Sequence, residues 1–181
     1  MGQRSDAQQN RVRILDVARE VLSEDDAASL NSIAKRAGIG SGTLYRHFPN
    51  REALVLEVFR TEVQKLVDWA SELLLTEPPL TALRRWFERL AAYITIKQGL
   101  GDAITSTVHD AVTRETHGPV TDAIGMLLRA GEDDGTIRPG LEADDVLMLM
   151  SCVWRVPKDS AGDAQAQRLL DLAVESIRVH D

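Results

Sequence analysis

Residues 29–51 read SLNSIAKRAGIGSGTLYRHFPNR, and this stretch decides the fold. Ser29 is a favourable N-cap, and the apolar residues that follow recur at helical spacing, so a helix is predicted over 30–37. Gly38 comes next, where a glycine in the left-handed conformation typically ends a helix. A second short helix is predicted over 41–47. Two short helices joined across a glycine indicate a helix-turn-helix.

The second predicted helix has an apolar side and a polar side. Leu44 and Phe48 lie four residues apart and are expected to pack inward, and Pro49 ends the helix. The polar residues left outside can hydrogen-bond to phosphates or base edges, and the glycines allow close backbone approach. The residues predicted to contact DNA are Ser32, Lys35, Arg36, Gly40, Ser41, Gly42, Thr43, Tyr45, Arg46, His47 and Arg51.

Charge is distributed unevenly along the chain. The whole sequence has a formal net charge of −7, whereas residues 27–51 contain four cations and no acid. Phosphate neutralisation needs a local basic surface, so the acidic total does not exclude a nucleic-acid partner. The window therefore favours double-stranded DNA as the partner, with the second helix in the major groove.

Composition and motifs exclude several other classes of protein. No stretch reaches the roughly 18 consecutive apolar residues of a membrane span, and the polar N-terminus does not resemble a secretory signal. A single cysteine, Cys152, fits a reducing cytoplasm. His109 and His117 lie eight residues apart rather than four, so no metal site is expected. No cofactor is predicted. Without a nucleophile set or a phosphate-cradling loop, the chain is predicted not to be an enzyme.

Apolar periodicity predicts an all-α protein of about nine helices. A three-helix DNA-binding head is expected over residues 1–50, fused to a helical body over residues 51–181. Pro119 is expected near the first turn of its helix. The predicted helices cover residues 8–24, 30–37, 41–47, 51–75, 80–97, 101–112, 119–133, 143–155 and 164–179.

Residues 32–54, SIAKRAGIGSGTLYRHFPNREAL, resemble the DNA-binding sequence of the tetracycline-repressor (TetR) family. Gly40 and Ser41 stand where the family often has Ser and then Lys, and Ser32 stands where it often has an acid. Ser41 therefore removes one cation from the surface expected to face DNA. The positions that match are Ile33-Ala34, Ala37-Gly38, Gly42-Thr43-Leu44-Tyr45, His47-Phe48 and Arg51-Glu52-Ala53-Leu54.

The resemblance implies a ligand pocket in the body and a dimer interface formed by the last two helices. The large or polar residues expected to line the pocket are Trp69, Trp86, Phe87, Tyr93, His109, Met126 and Met148. Apolar residues at helical spacing would be exposed in a lone chain, which predicts a homodimer. The residues assigned to that interface are Val146, Leu149, Met150, Val153, Leu169, Leu170, Ala173 and Ile177.

The leading interpretation is a repressor that a small apolar or amphipathic ligand releases from a palindromic operator. Two heads about 34 Å apart would match such a site. The alternative is a constitutive or architectural DNA-binding factor without a small ligand. A filled core in the body would favour that alternative, and a large cavity would count against it.

Overall fold

The computed structural model describes residues 2–25, 28–99, 106–157 and 160–180, with side chains for 10–25, 28–94, 110–157 and 160–180. Over these residues the protein is all-α, as predicted, with one isolated β-bridge between Ile137 and Arg178. A 3₁₀ turn spans Val153–Arg155. The helices are α1 Gly2–Glu24, α2 Leu30–Arg36, α3 Ser41–His47, α4 Arg51–Thr76, α5 Pro79–Gly99, α6 Ser106–Asp133, α7 Ala143–Met150 and α8 Ser160–Ile177.

Local caps set the ends of the helix-turn-helix. The Ser29 hydroxyl accepts a hydrogen bond from the Ser32 backbone N–H at 3.1 Å, which caps α2. Gly38 has φ +65°, the left-handed conformation expected after a helix. The Asn50 side chain accepts a hydrogen bond from the Ala53 N–H at 2.8 Å and caps α4. These bonds explain why the bounds predicted for α2, α3 and the start of α4 agree with the structure to within one residue.

The prediction of separate helices over 101–112 and 119–133 is wrong for the described part of this segment. From Ser106 onward, α6 is one helix that contains Pro119 in its interior. A proline removes one helical hydrogen bond and normally breaks or kinks a helix. Here the buried stripe continues past it at helical spacing, so packing outweighs the lost bond. That stripe consists of Val112, Thr116, Val120, Ala123, Ile124 and Leu127.

The last two helices also differ from their predicted bounds. α7 ends at Met150 instead of running to residue 155, and hydrogen bonds between residues three apart tighten the chain that follows. α8 begins at Ser160, four residues before its predicted start. Gly162 permits that start, because a Cβ there would lie 1.8 Å from the carbonyl oxygen of Pro157. Its buried position near the 3₁₀ turn therefore requires a glycine.

By compactness the chain divides into two units. The head unit comprises Met1–Glu62 and Ile96–Glu115, and the body unit comprises Val63–Thr95 and Thr116–Asp181. The predicted functional boundary at residue 50 stays a prediction. In the head unit, α1 packs on α2 and α2 packs on α3. No helix in the described ranges is long and apolar enough to cross a bilayer.

The body unit has its own apolar core. Trp86 and Phe87 are 0 % and 2 % exposed, and their rings meet edge to face at 5.4 Å. The Trp86 indole N–H donates to the Leu66 carbonyl at 2.8 Å, which satisfies the buried polar atom. Close packing of this kind makes the core sensitive to any added charge or lost volume.

Candidate functional site

Helix α3 combines a buried side with an exposed polar side. Leu44 and Phe48 are 0 % and 2 % exposed and anchor the helix to the head unit. Tyr45 is 47 % exposed, and Arg46 is also exposed. Since this face carries hydrogen-bonding and cationic groups without an acid, it can meet the edges of bases and phosphate oxygens.

The other residues predicted to contact DNA lie at or near the surface of the same unit. Thr43, His47 and Arg51 are half-buried. The Arg51 side chain donates to the carbonyl oxygen of Ala28 at 3.4 Å, which ties it to the loop before α2. The exposed members of the predicted set are Ser32, Lys35, Arg36, Gly40, Ser41, Gly42, Tyr45 and Arg46.

Arg36 is held by an acid within the head unit. Its two terminal nitrogens donate to the two carboxylate oxygens of Glu24, each at 2.9 Å. Both side chains are more than half exposed, so the pair is a weak surface pair despite its bidentate geometry. The charge of Arg36 is therefore partly neutralised before any phosphate approaches it.

Two further arginines of α1 brace the helix-turn-helix, and the sequence did not single them out. Arg13 donates to the carbonyl oxygen of Ala37 at 2.6 Å and so stabilises the end of α2. Arg11 lies with its guanidinium carbon 5.0 Å from the centre of the Phe48 ring, in cation–π contact. Both partners are distant in sequence. The presence of several arginines in α1 is the one sequence feature that could have indicated such roles.

Four of the seven residues predicted to line a ligand pocket, Trp69, Trp86, Phe87 and Tyr93, lie in or against the apolar core of the body unit. Trp86 and Phe87 belong to the core, and Met148 is 72 % exposed. Trp69 is half-buried beneath the guanidinium of Arg89, 4.8 Å from its ring centre. Tyr93 and Met126 are half-buried, and the side chain of His109 lies outside the described residues. A role for any of the seven in ligand binding stays a prediction.

The body unit contains a polar cavity of about 380 Å³ that none of those residues lines. α6 contributes Thr121, Asp122, Arg129 and Glu132 to its wall, and the segment 140–144 forms the other side. Glu132 accepts a hydrogen bond from the Gly140 N–H at 3.1 Å, which holds that segment against α6. The volume lies within the range of small-molecule sites.

Charge gives this cavity its chemical character. Four carboxylates and one guanidinium line it, a formal charge of −3, from Asp122, Glu132, Glu142, Asp144 and Arg129. Asp144 lies 2.8 Å from His117 Nε2, and Glu132 is engaged with the backbone. Asp122 and Glu142 make no ion pair within the described part of the chain.

The set assigned to a dimer interface needs correction. The expectation that a lone chain leaves these side chains exposed is wrong for six of the eight, because they are buried in the body unit's own core. Those six are Val146, Met150, Val153, Leu170, Ala173 and Ile177. Leu169 is half-buried, and Leu149 is 42 % exposed. The large apolar side chains exposed on α7 and α8 are Met148, Leu149 and Leu172.

Known protein families match both the N-terminal and the C-terminal part of the chain. Residues 14–58 match the family described as "Bacterial regulatory proteins, tetR family", and residues 78–179 match "Transcriptional regulator SbtR-like, C-terminal domain". The chain belongs to the TetR family of transcriptional regulators. It is therefore a DNA-binding regulator with a helix-turn-helix, and proteins of this family are transcription factors rather than enzymes.

Individual relatives match this chain along most of its length. The TetR transcriptional regulator SCO0520 from Streptomyces coelicolor is 36 % identical, with a TM-score of 0.81 over 94 % of this chain and 99 % of that one. A TetR regulator from Mycobacterium vanbaalenii is 28 % identical, with a TM-score of 0.77 over 97 % and 99 %. The regulator UidR of Escherichia coli K12 is 25 % identical over 147 residues, 76 % of this chain and 74 % of that protein.

For this TetR-family regulator, the pair between Glu24 and Arg36 leads to a first prediction. Glu24→Gln should strengthen DNA binding about threefold, because Arg36 becomes free to neutralise a phosphate. The slope of log Kd against log salt concentration should steepen by about one. Fluorescence anisotropy over a salt series measures both quantities. Glu20→Gln is the matched control on the same helix, and an equal gain in that variant would contradict a specific effect of Arg36.

Proposed function

We propose that this regulator is a repressor that binds a palindromic operator as a dimer and leaves it when a small molecule occupies the body unit. DNA binding is supported by the exposed polar face of α3, which includes Tyr45 and Arg46. The opposite side of that helix is held to the head unit by buried apolar residues. A rigid helix pair lets one helix enter the major groove while the other braces it.

Within the proposed complex the residues have different roles. Tyr45 and Arg46 reach base edges or phosphates from α3, because they are the two large hydrogen-bonding side chains exposed on that helix. Lys35 and Arg36 neutralise phosphates from the end of α2. The space beside Gly40 and Gly42 is open, since a Cβ added to either would have no neighbour within 4 Å. The start of α3 is therefore accessible to close backbone approach.

The proposed dimer uses the exposed apolar residues of α7 and α8. Met148 is 72 % exposed and Leu172 67 % exposed, although large apolar side chains are usually covered. Proteins of the TetR family function as dimers, and the sequence resemblance implies that the last two helices form the interface. A second copy of this chain is accordingly the partner that covers Met148, Leu149 and Leu172.

The polar cavity of the body unit supports a small-molecule effector. Its formal charge of −3 favours an effector with a positive charge and hydrogen-bond donors, unlike the apolar or amphipathic ligand expected from the sequence. Asp122 and Glu142 are the carboxylates placed to receive that charge. The segment 140–144 is attached to α6 through the hydrogen bond from the Gly140 N–H to Glu132, so a ligand that competes for this carboxylate can shift the segment.

The experiment begins with DNA selected by the purified protein from randomised or genomic fragments. We expect an inverted repeat whose half-sites lie one helical turn, about 34 Å, apart. Anisotropy on that DNA should show tight binding that weakens steeply with salt. Failure to enrich any repeated sequence would contradict the operator proposal.

Release is tested by adding agmatine or putrescine to the complex between protein and operator. Because polyamines also bind DNA, the matched control is the Asp122→Asn/Glu142→Gln variant on the same DNA. The proposal expects these cations to release the wild-type protein at concentrations at which the variant stays bound. Equal release of both proteins would contradict an effector role of the cavity.

A constitutive DNA-binding factor is the second candidate function. The tightly filled core around Trp86 and Phe87 favours it, because the aromatic residues expected in a pocket are already occupied by packing. This alternative predicts operator binding that no small cation, anion or neutral compound changes. A compound screen on the selected operator therefore separates the two functions.

A further inference from the structure

An ion-pair network lies within the head unit and joins three helices. Glu57 of α4 accepts a hydrogen bond from Arg11 of α1 at 2.7 Å and another from Arg60 at 3.2 Å. Arg60 Nε also donates to Glu115 of α6 at 2.5 Å. Glu57 therefore links α1 to α4, and Arg60 links α4 to α6.

The network touches the end of the DNA-reading helix. The guanidinium of Arg11 lies over the ring of Phe48, 5.0 Å from its centre. Phe48 follows α3 directly, and its N–H donates to the Leu44 carbonyl at 2.9 Å, closing the last turn. A contiguous series of contacts thus runs from Glu115 through Arg60, Glu57 and Arg11 to the residue that ends α3.

Both acids of the network are ionised at neutral pH. Burial raises the pKa of Glu57, but the hydrogen bonds and charges of Arg11 and Arg60 outweigh it, so that pKa lies below the ordinary value. The hydrogen bond from Arg60 lowers the pKa of Glu115. Each pair is therefore a charge-assisted hydrogen bond under the conditions in which DNA binds.

We infer that Arg11, Glu57, Arg60 and Glu115 are positioning residues for DNA binding, which fix the end of α3 relative to α4 and α6. Operator affinity should consequently depend on Glu115, which lies more than sixty residues beyond the helix-turn-helix. The reason is preorganisation, because a head that samples fewer orientations loses less entropy when it docks.

The sign of the effect separates positioning from general electrostatics. Neutralising a carboxylate on a DNA-binding protein normally strengthens binding, since one repulsive charge is lost. If Glu57 and Glu115 position the head, their neutral variants bind operator more weakly instead. A role in stability alone would change the unfolding temperature and leave the affinity of the folded protein unchanged.

The experiment compares Glu57→Gln and Glu115→Gln with the wild-type protein on the selected operator by anisotropy. We expect Kd to rise about tenfold for Glu57→Gln, which loses two partners, and about threefold for Glu115→Gln. The salt slope should stay unchanged, because no phosphate contact is removed. The control is Asp110→Asn, which neutralises an exposed acid on α6, the helix of Glu115. This variant should bind with equal or higher affinity.

A double-mutant cycle completes the test. Arg60→Gln and Glu115→Gln should be non-additive, so that the double variant binds no more weakly than Arg60→Gln alone. Thermal unfolding identifies any variant that fails to fold, and Glu115→Gln then remains informative because its site is partly exposed. Operator binding by Glu57→Gln and Glu115→Gln that is as tight as wild type, or tighter, would overturn the inference.

Discussion

Leu170→Asp is expected to unfold the body unit rather than to release folded monomers. Leu170 is 1 % exposed and lies in the apolar core on α8. An unpaired carboxylate in such a site costs several kcal/mol, and total stabilities are only about 5–15 kcal/mol. Urea unfolding followed by circular dichroism should show a protein that is mostly unfolded without denaturant, or one with a midpoint far below that of wild type.

Leu172→Asp is the matched control, two residues along the same helix. Leu172 is 67 % exposed, so the variant should keep the helical content and the unfolding midpoint of a folded chain. If a second copy covers this face, sedimentation should show a shift toward monomer, since a charge would be buried at the interface. A Leu170→Asp protein that is folded and monomeric would instead place Leu170 between subunits.

The helix-turn-helix could be predicted from the sequence because its determinants are local. Ser29 caps α2 through an N–H three residues away, and Gly38 adopts a positive φ that few other residues tolerate. The spacing of Leu44 and Phe48 is enough to define which side of a seven-residue helix is buried. Each of these signals lies within a few residues of the feature that it determines.

The body could be predicted only in outline, because its details depend on partners that are distant in sequence. A break at Pro119 is a sound local expectation, but the buried stripe on both sides keeps α6 continuous. Periodicity in α8 identifies an apolar face without revealing whether its own chain or a second copy covers it. In the structure, Leu170 is buried in the core and Leu172 is exposed.

The polar cavity and the ion pairs could not be predicted from the sequence, because they also depend on residues that are distant along the chain. The cavity forms where α6 meets the segment 140–144, and nothing local marks Asp122 and Glu142 as neighbours. Glu57 and Glu115 are 58 residues apart in the chain, although both bind Arg60. Aromatic residues attracted the prediction of a pocket, whereas Trp86 and Phe87 proved to be core.

Arg46→Glu is expected to weaken operator binding by about a hundredfold or more. The exposed guanidinium of Arg46 has no ion-pair partner among the described residues, so all of its donors are available to DNA. A good bidentate contact to a base is worth about 1–3 kcal/mol, and the new carboxylate adds repulsion from phosphates. Anisotropy on the selected operator and on unrelated DNA measures the loss.

Two further variants and a second DNA show which interaction of Arg46 is lost. Arg46→Gln removes the contact without adding repulsion and should cost about tenfold. Arg36→Gln should cost less, because Glu24 already satisfies that guanidinium at 2.9 Å. A loss that is equal on operator and unrelated DNA assigns Arg46 to a phosphate, whereas a loss confined to the operator assigns it to a base. Wild-type affinity in Arg46→Glu would mean that α3 does not enter the groove with this face, since a carboxylate there would be repelled by the phosphates and would weaken binding.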